Sequence, residues 1–195
     1  MKYSAFVTLL IISGLISSCY SQEDFKASES QLGFDFRLLV EEGLQNTFSA
    51  GFQLEKSLSV TDADWESILL KSAEDAEADL KFLIQYDVNK PAYMGQFDIK
   101  RGTDSFDQEY IRLRAINPGK TPIRFFEYRS KAGNPVDARW EVVNKNMIIN
   151  NLRYYSIEFD QHAGKTTLKG YTLDLGQKIV GRDSTYYKLI VRLAN

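Results

Sequence analysis

The sequence predicts a mainly β protein, with α+β as the neighbouring class. The expected architecture is one antiparallel β-sandwich or up-and-down barrel with a single inserted helix around residues 62–78. Three observations carry that reading. Apolar and polar residues alternate with period two in run after run, as half-buried strands require. Turn-forming residues separate the runs at roughly ten-residue spacing, which suits short antiparallel connections. Twelve Phe and eleven Tyr add an aromatic excess that favours strands.

Taken in order, Gly33–Glu42 fits two periods. Phe34, Phe36, Leu38 and Val40 alternate as a strand would, while Phe36, Leu39, Val40 and Leu44 fit a helix; the strand is preferred. Phe48–Glu55 alternates over eight positions and reads as the next strand. Thr61-Asp62-Ala63-Asp64 then offers a cap and acidic first-turn residues. Trp65, Ile68, Leu69, Ser72 and Ala76 follow on one helical face, so a helix is expected over Asp62–Ala78. Leu80, Phe82, Ile84, Tyr86 and Val88 alternate again, predicting a strand, with a helix continuing to Tyr86 as the competing reading. Further strands are predicted at Tyr93–Lys100, Tyr110–Ile116, Pro122–Ser130, Arg139–Asn144, Ile148–Phe159, Thr166–Leu175 and Tyr186–Leu193. Reversals fall at Asn117–Lys120, Ala132–Pro135, His162–Gly164 and Gly181–Asp183.

The first residues have another character. Lys2 supplies a positive start, Ala5–Ile16 an apolar stretch, and Ser17-Ser18 small residues before a cut, the three parts of an export signal over residues 1–18. As a helix the apolar stretch would reach about 18 Å, short of the ~30 Å hydrocarbon layer, so it does not read as a permanent span. Ile16-Ser17-Ser18-Cys19 resembles the lipobox of bacterial lipoprotein precursors. Cys19 is the only cysteine, so no internal disulfide is open to it. The resemblance, which covers the signal segment alone, implies a diacylglyceryl thioether on Cys19 and an acyl group such as palmitate on its amine. Two chains give stable anchoring, at about 0.8 kcal/mol per buried methylene. Residues 19–31 then serve as a polar tether, and residues 32–195 form the single domain. The expected location is the cell envelope, outer membrane first, reached through the lipid anchor. The alternative is cleavage after Ser21, giving a secreted or periplasmic chain from Gln22.

Composition restricts function more than it assigns it. At 44% hydrophobic and 26% charged, the chain can build an ordinary core without metals. The first 98 residues carry 7 basic and 16 acidic side chains, and the remainder 17 and 10. This polarity can mark two charged faces or cancel on folding. A pI near 5.6 argues against nucleic acid. His162 is the sole histidine, in a predicted hairpin loop, and no Gly-x-Ser-x-Gly elbow exists to complete a triad with Asp160. No cofactor or metal is expected: the cluster Asp104, Asp107 and Glu109 matches no calcium loop, and Glu74, Asp75, Glu77 and Asp79 read as a solvated helix face. Glu127 and Glu158, each between apolar residues, read as half-buried carboxylates paired with arginine.

Arginines interleaved with aromatics in the predicted strands are the best ligand-binding candidates. Arg112, Arg114, Arg124, Tyr128 and Arg153 could line a cavity for a carboxylate, phosphate or sugar. The same pattern also describes a solvated outer face with cation–π contacts. The expected function is a non-enzymatic binding or assembly module whose partner is a protein or a small anionic or amphiphilic molecule. The alternatives are a hydrolase acting on a glycan and a structural surface component.

Overall fold

A computed structural model describes residues 30–61 and 65–194. The expected export signal, Cys19 and most of the expected tether lie outside the described residues. The order of elements is α1 (Phe36–Ser49), β1 (Leu54–Val60), β2 (Glu66–Leu70), α2 (Ala73–Gln85), a short 3-10 turn (Pro91–Tyr93), β3 (Phe97–Thr103), β4 (Glu109–Ala115), β5 (Ile123–Lys131), β6 (Asn134–Lys145), β7 (Ile149–His162), β8 (Lys165–Ile179) and β9 (Thr185–Leu193). All nine strands form one antiparallel sheet in the order β2-β1-β9-β8-β7-β6-β5-β4-β3. From β3 to β9 each strand lies beside its sequence neighbour, the expected up-and-down meander. The sheet is not closed: β2 and β3 are its two edges.

Alternation along the strands sorts the two faces. On one face Leu189, Leu173, Tyr155, Trp140, Phe126, Leu113 and Ile99 oppose one another in an unbroken row across seven strands. One residue along, the row on the other face reads Lys188, Asp174, Tyr154, Glu141, Phe125 and Arg114. A one-residue slip would exchange these sets, so burial of the first row fixes the register. Both helices cover the apolar face, which we call the inner face. Phe36 of α1 meets Phe126 and Trp140 edge-on with ring centroids 5.5 and 5.6 Å apart, and Trp140 stacks on Tyr155 at 5.3 Å.

Four sequence expectations are corrected in the first half of the chain. Residues 33–42 are not a strand but the entry to α1. Asp35 caps that helix, its carboxylate accepting from the Leu38 amide at 3.0 Å. Phe36, Val40, Gly43, Leu44 and Thr47 then face inward at helical spacing. Phe48 and Ser49 close α1, and Gly51 at φ 81° makes the turn, so the strand expected from Phe48 begins only at Leu54. The helix expected over Asp62–Ala78 is divided: residues 62–64 lie outside the described residues, and Glu66–Leu70 is strand β2, paired with β1. The real helix signal is Ser72-x-x-Asp75, where Ser72 Oγ accepts from the Asp75 amide at 3.4 Å and Asp75 Oδ2 accepts from the Ser72 amide at 3.1 Å. The strand expected over Leu80–Val88 is therefore mostly α2, which buries Ala73, Ala76 and Leu80. Among the described residues there are two α-helices where one was expected.

Turns are tight where predicted. Ala132 and Gly133 have φ of 49° and 80°, and Ala163 and Gly164 have 50° and 76°, closing the two-residue hairpins β5–β6 and β7–β8. Alanine is strained at positive φ, whereas asparagine tolerates it. Ala132→Asn is expected to stabilise the fold by about 0.5–1 kcal/mol, read from the urea midpoint; an unchanged or lower midpoint would contradict this. Gly170 is required for a different reason. It follows the register shift at Glu158/Phe159, and a Cβ there would sit 2.4 Å from the Val191 carbonyl oxygen.

Candidate functional site

The five candidate ligand-binding residues are distributed over both faces. Arg112 and Arg114 point outward, away from the helices. Arg112 Nε donates to Glu127 Oε2 at 2.7 Å, and its guanidinium lies 4.9 Å from the Tyr110 ring centroid. Arg114 lies 5.7 Å from the Phe125 ring centroid. Arg124 sits at the irregularity between Ile123 and Phe125 and bonds the Pro118 carbonyl. Tyr128 and Arg153 point inward. Tyr128 packs on Phe34 with centroids 4.6 Å apart, and burial pushes its hydroxyl up to about 12. The structure does not bring the five into one site.

On the outer face, opposite charges stand in cross-strand register and neutralise one another. Arg112 pairs Glu127, Arg129 forks onto Asp137, Arg139 approaches the same carboxylate at 3.3 Å, and Lys188 faces Asp174 at 3.7 Å. The Asp137 hydrogen bond raises the Arg129 pKa further, so the guanidinium stays charged at any ordinary pH. Glu127 is buried beside an arginine, as expected. Glu158 is instead exposed, 3.6 Å from Lys169. Shallow depressions lie between these side chains; one of about 440 Å³ is edged by Tyr154, Asp174, Tyr186 and Lys188. His162 ends β7, exposed, edge-on to Phe52 at 5.0 Å. Exposed apolar side chains gather at the adjoining β6–β7 and β8–β9 hairpin tips: Met147, Ile148 and Val180, the last bonding through its amide to the Ile148 carbonyl at 2.9 Å.

The inner face holds a polar group of another kind. Arg153 Nη1 donates to the Tyr86 hydroxyl at 2.7 Å, and Asn144 Nδ2 donates to the same oxygen at 3.0 Å. Both lone pairs of the phenol are thereby occupied, leaving its own O–H to find an acceptor. Tyr155, 2% exposed, lies with its ring 6.1 Å from that of Tyr86. Burial pushes its hydroxyl up to about 12, against the pull of Arg153. The Tyr155 hydroxyl, Trp140 Nε1 and Asn151 Oδ1 are buried and have no hydrogen-bond partner among the described residues. Arg153 forms no ion pair with a described carboxylate, unlike Arg112, Arg129 and Arg139. The result is a half-buried cation on the same face as two unpaired donors, the Tyr155 hydroxyl and Trp140 Nε1, and one unpaired acceptor, Asn151 Oδ1.

No protein-family model, curated protein or solved structure matches this chain. The function therefore has to be argued from the site itself. Sequence reasoning chose Arg153 and counted Trp140 and Tyr155 only among the aromatics interleaved with the arginines; it missed Tyr86, Asn144 and Asn151. Part of the signal was present: Asn151, Arg153, Tyr155, Ile157 and Phe159 share one parity, so the arginine stands in phase with core residues. Tyr86 carried no such signal, because it arrives from beyond α2, 67 residues earlier. Among the described residues no group of three or more His, Cys, Asp or Glu is placed to hold a metal ion. No described helix is long and apolar enough to cross a membrane.

Proposed function

We propose that this protein is a non-enzymatic binding module of the cell envelope, held there by a lipid on Cys19, with its ligand site around Arg153. The observation that carries the reading is an inward arginine with no carboxylate partner among the described residues, on one face with the unpaired Tyr155 hydroxyl and Trp140 Nε1 donors. An unpaired buried donor costs about 1–3 kcal/mol, and an uncompensated charge more. A bound anion would satisfy both. On the outer face Arg112 faces Glu127 and Arg129 forks onto Asp137, whereas Arg153, pointing inward, has no carboxylate among the described residues.

Two measurements test this. Cys19→Ala is expected to move the protein from the membrane pellet to the soluble envelope fraction; an unchanged distribution would remove the anchor. Native mass spectrometry of the protein purified from its membrane should find an anionic molecule bound to the wild type and absent from Arg153→Gln. Bare chains in both samples would end the binding reading.

A further inference from the structure

Resting on that reading of the Arg153 site, we propose that its ligand is an anionic amphiphile, with a carboxylate or phosphate head at Arg153 and an acyl chain along the inner face towards the β1–β2 edge. Strand register supplies the track. Arg153 on β7 opposes Leu175 on β8, Leu175 opposes Tyr187 on β9, and Tyr187 opposes Val60 on β1. All four share the inner face, and each is only half-buried. Three strand spacings separate the ends, about 14 Å, which is the reach of a medium-length acyl chain. Beside Val60 the same face exposes Leu58 at 37% and Ile68 at 58%, in register with Glu66 and Lys56. The inner face thus changes along this track from a cationic end to a half-covered apolar stretch.

The head end is specific in its chemistry. Arg153 offers the guanidinium N–H groups not used by Tyr86, and the Tyr86 and Tyr155 hydroxyls and Trp140 Nε1 add further donors. A guanidinium without a carboxylate, on one face with two unpaired donors and a single unpaired acceptor, Asn151 Oδ1, favours an oxyanion over a neutral alcohol or a cation. The Tyr155 hydroxyl, pushed up by burial, remains a donor throughout the physiological range. A free fatty acid and a single-chain phosphate ester share the required features, an oxyanion joined to one chain. An inorganic anion has the first feature and lacks the second.

Isothermal titration of the full exported chain, kept in solution by Cys19→Ala, separates these cases with dodecanoate, dodecyl phosphate, dodecanol and acetate as probes. Dodecanoate, dodecyl phosphate or both should bind at least about a hundredfold more tightly than acetate, given the apolar area a chain would bury. Arg153→Gln should weaken that binding at least about tenfold, with partial recovery in Arg153→Lys. Leu175→Asp, which sets a charge in the chain's path, should weaken dodecanoate while leaving acetate unchanged, and it serves as the test if Arg153→Gln does not fold. Acetate binding as tightly as dodecanoate would overturn the amphiphile and leave an anion-binding module standing. Dodecanol matching dodecanoate would overturn the head-group assignment, as would equal affinity in a folded Arg153→Gln. Silence from all four probes would overturn the proposal and count against the binding reading as well.

Discussion

Trp140→Ala is expected to cost about 3–5 kcal/mol, the range for deleting a large aromatic from a packed core. Trp140 is 2% exposed and touches rings on three sides: Phe36 from α1, Phe126 from β5 and Tyr155 from β7. Helix and sheet meet through it, so the gap could not close by moving one side chain. The indole N–H makes no hydrogen bond, so the loss would be one of packing alone. That distinction has its own consequence. Trp140→Phe keeps most of the ring contacts and removes an unpaired buried donor, whose burial costs about 1–3 kcal/mol. The two effects oppose, and Trp140→Phe should fall within about 1 kcal/mol of wild type. Urea unfolding of both variants checks this; equal, large losses would mean that the indole nitrogen has a structural role.

Asp79→Ala is the second large effect expected. Asp79 projects from α2 onto the inner face, where Oδ1 accepts from Lys56 Nζ at 2.8 Å and Oδ2 accepts from the Tyr171 hydroxyl at 3.0 Å. The two charged side chains are 22% and 16% exposed, so the pair is mostly shielded from water. Burial first, and then the neighbouring carboxylate, raise the Tyr171 pKa well above its ordinary value, keeping that hydroxyl a donor. Removing the carboxylate would leave an ammonium and a phenol under α2 without acceptors. Breaking a fully buried pair costs about 3–5 kcal/mol; partial exposure here lowers the expectation to about 2–3 kcal/mol. Asp79→Leu combined with Lys56→Met should recover most of the loss, because it removes both charges and fills the space. If the single variant were neutral in urea unfolding, water would be reaching Lys56 freely.

The same carboxylate shows why helical positions resisted reading. In sequence, Glu74, Asp75, Glu77 and Asp79 look like one solvated acidic face. In the structure Glu74, Asp75 and Glu77 are exposed, while Asp79 is drawn inward by partners on β1 and β8. Nothing local distinguishes it. Trp65–Leu70 is a comparable case. Its apolar residues fit a helix, yet the open edge of β1 offers backbone hydrogen bonds, and pairing there outweighs a weak helical preference. Sequence and structure agree best from Phe97 onward. There most strands are longer, their alternation is interrupted only at local register shifts, and hairpins at 132–133 and 163–164 end them sharply. The early segments are short enough for both periods to fit, and only caps such as Asp35 and the Ser72/Asp75 pair could have decided between them.

From the sequence alone follow an antiparallel, mainly β body and the turn positions, because each depends on residues close together in the chain. Tertiary structure alone decided that two helices cover one face of the sheet. It also decided that Arg112 faces Glu127 while Arg153 faces Tyr86. Local order is set by the spacing of apolar residues and the geometry of single turns. Which charge meets which partner depends on elements that are far apart in sequence and adjacent only after packing, and no local pattern encodes that adjacency.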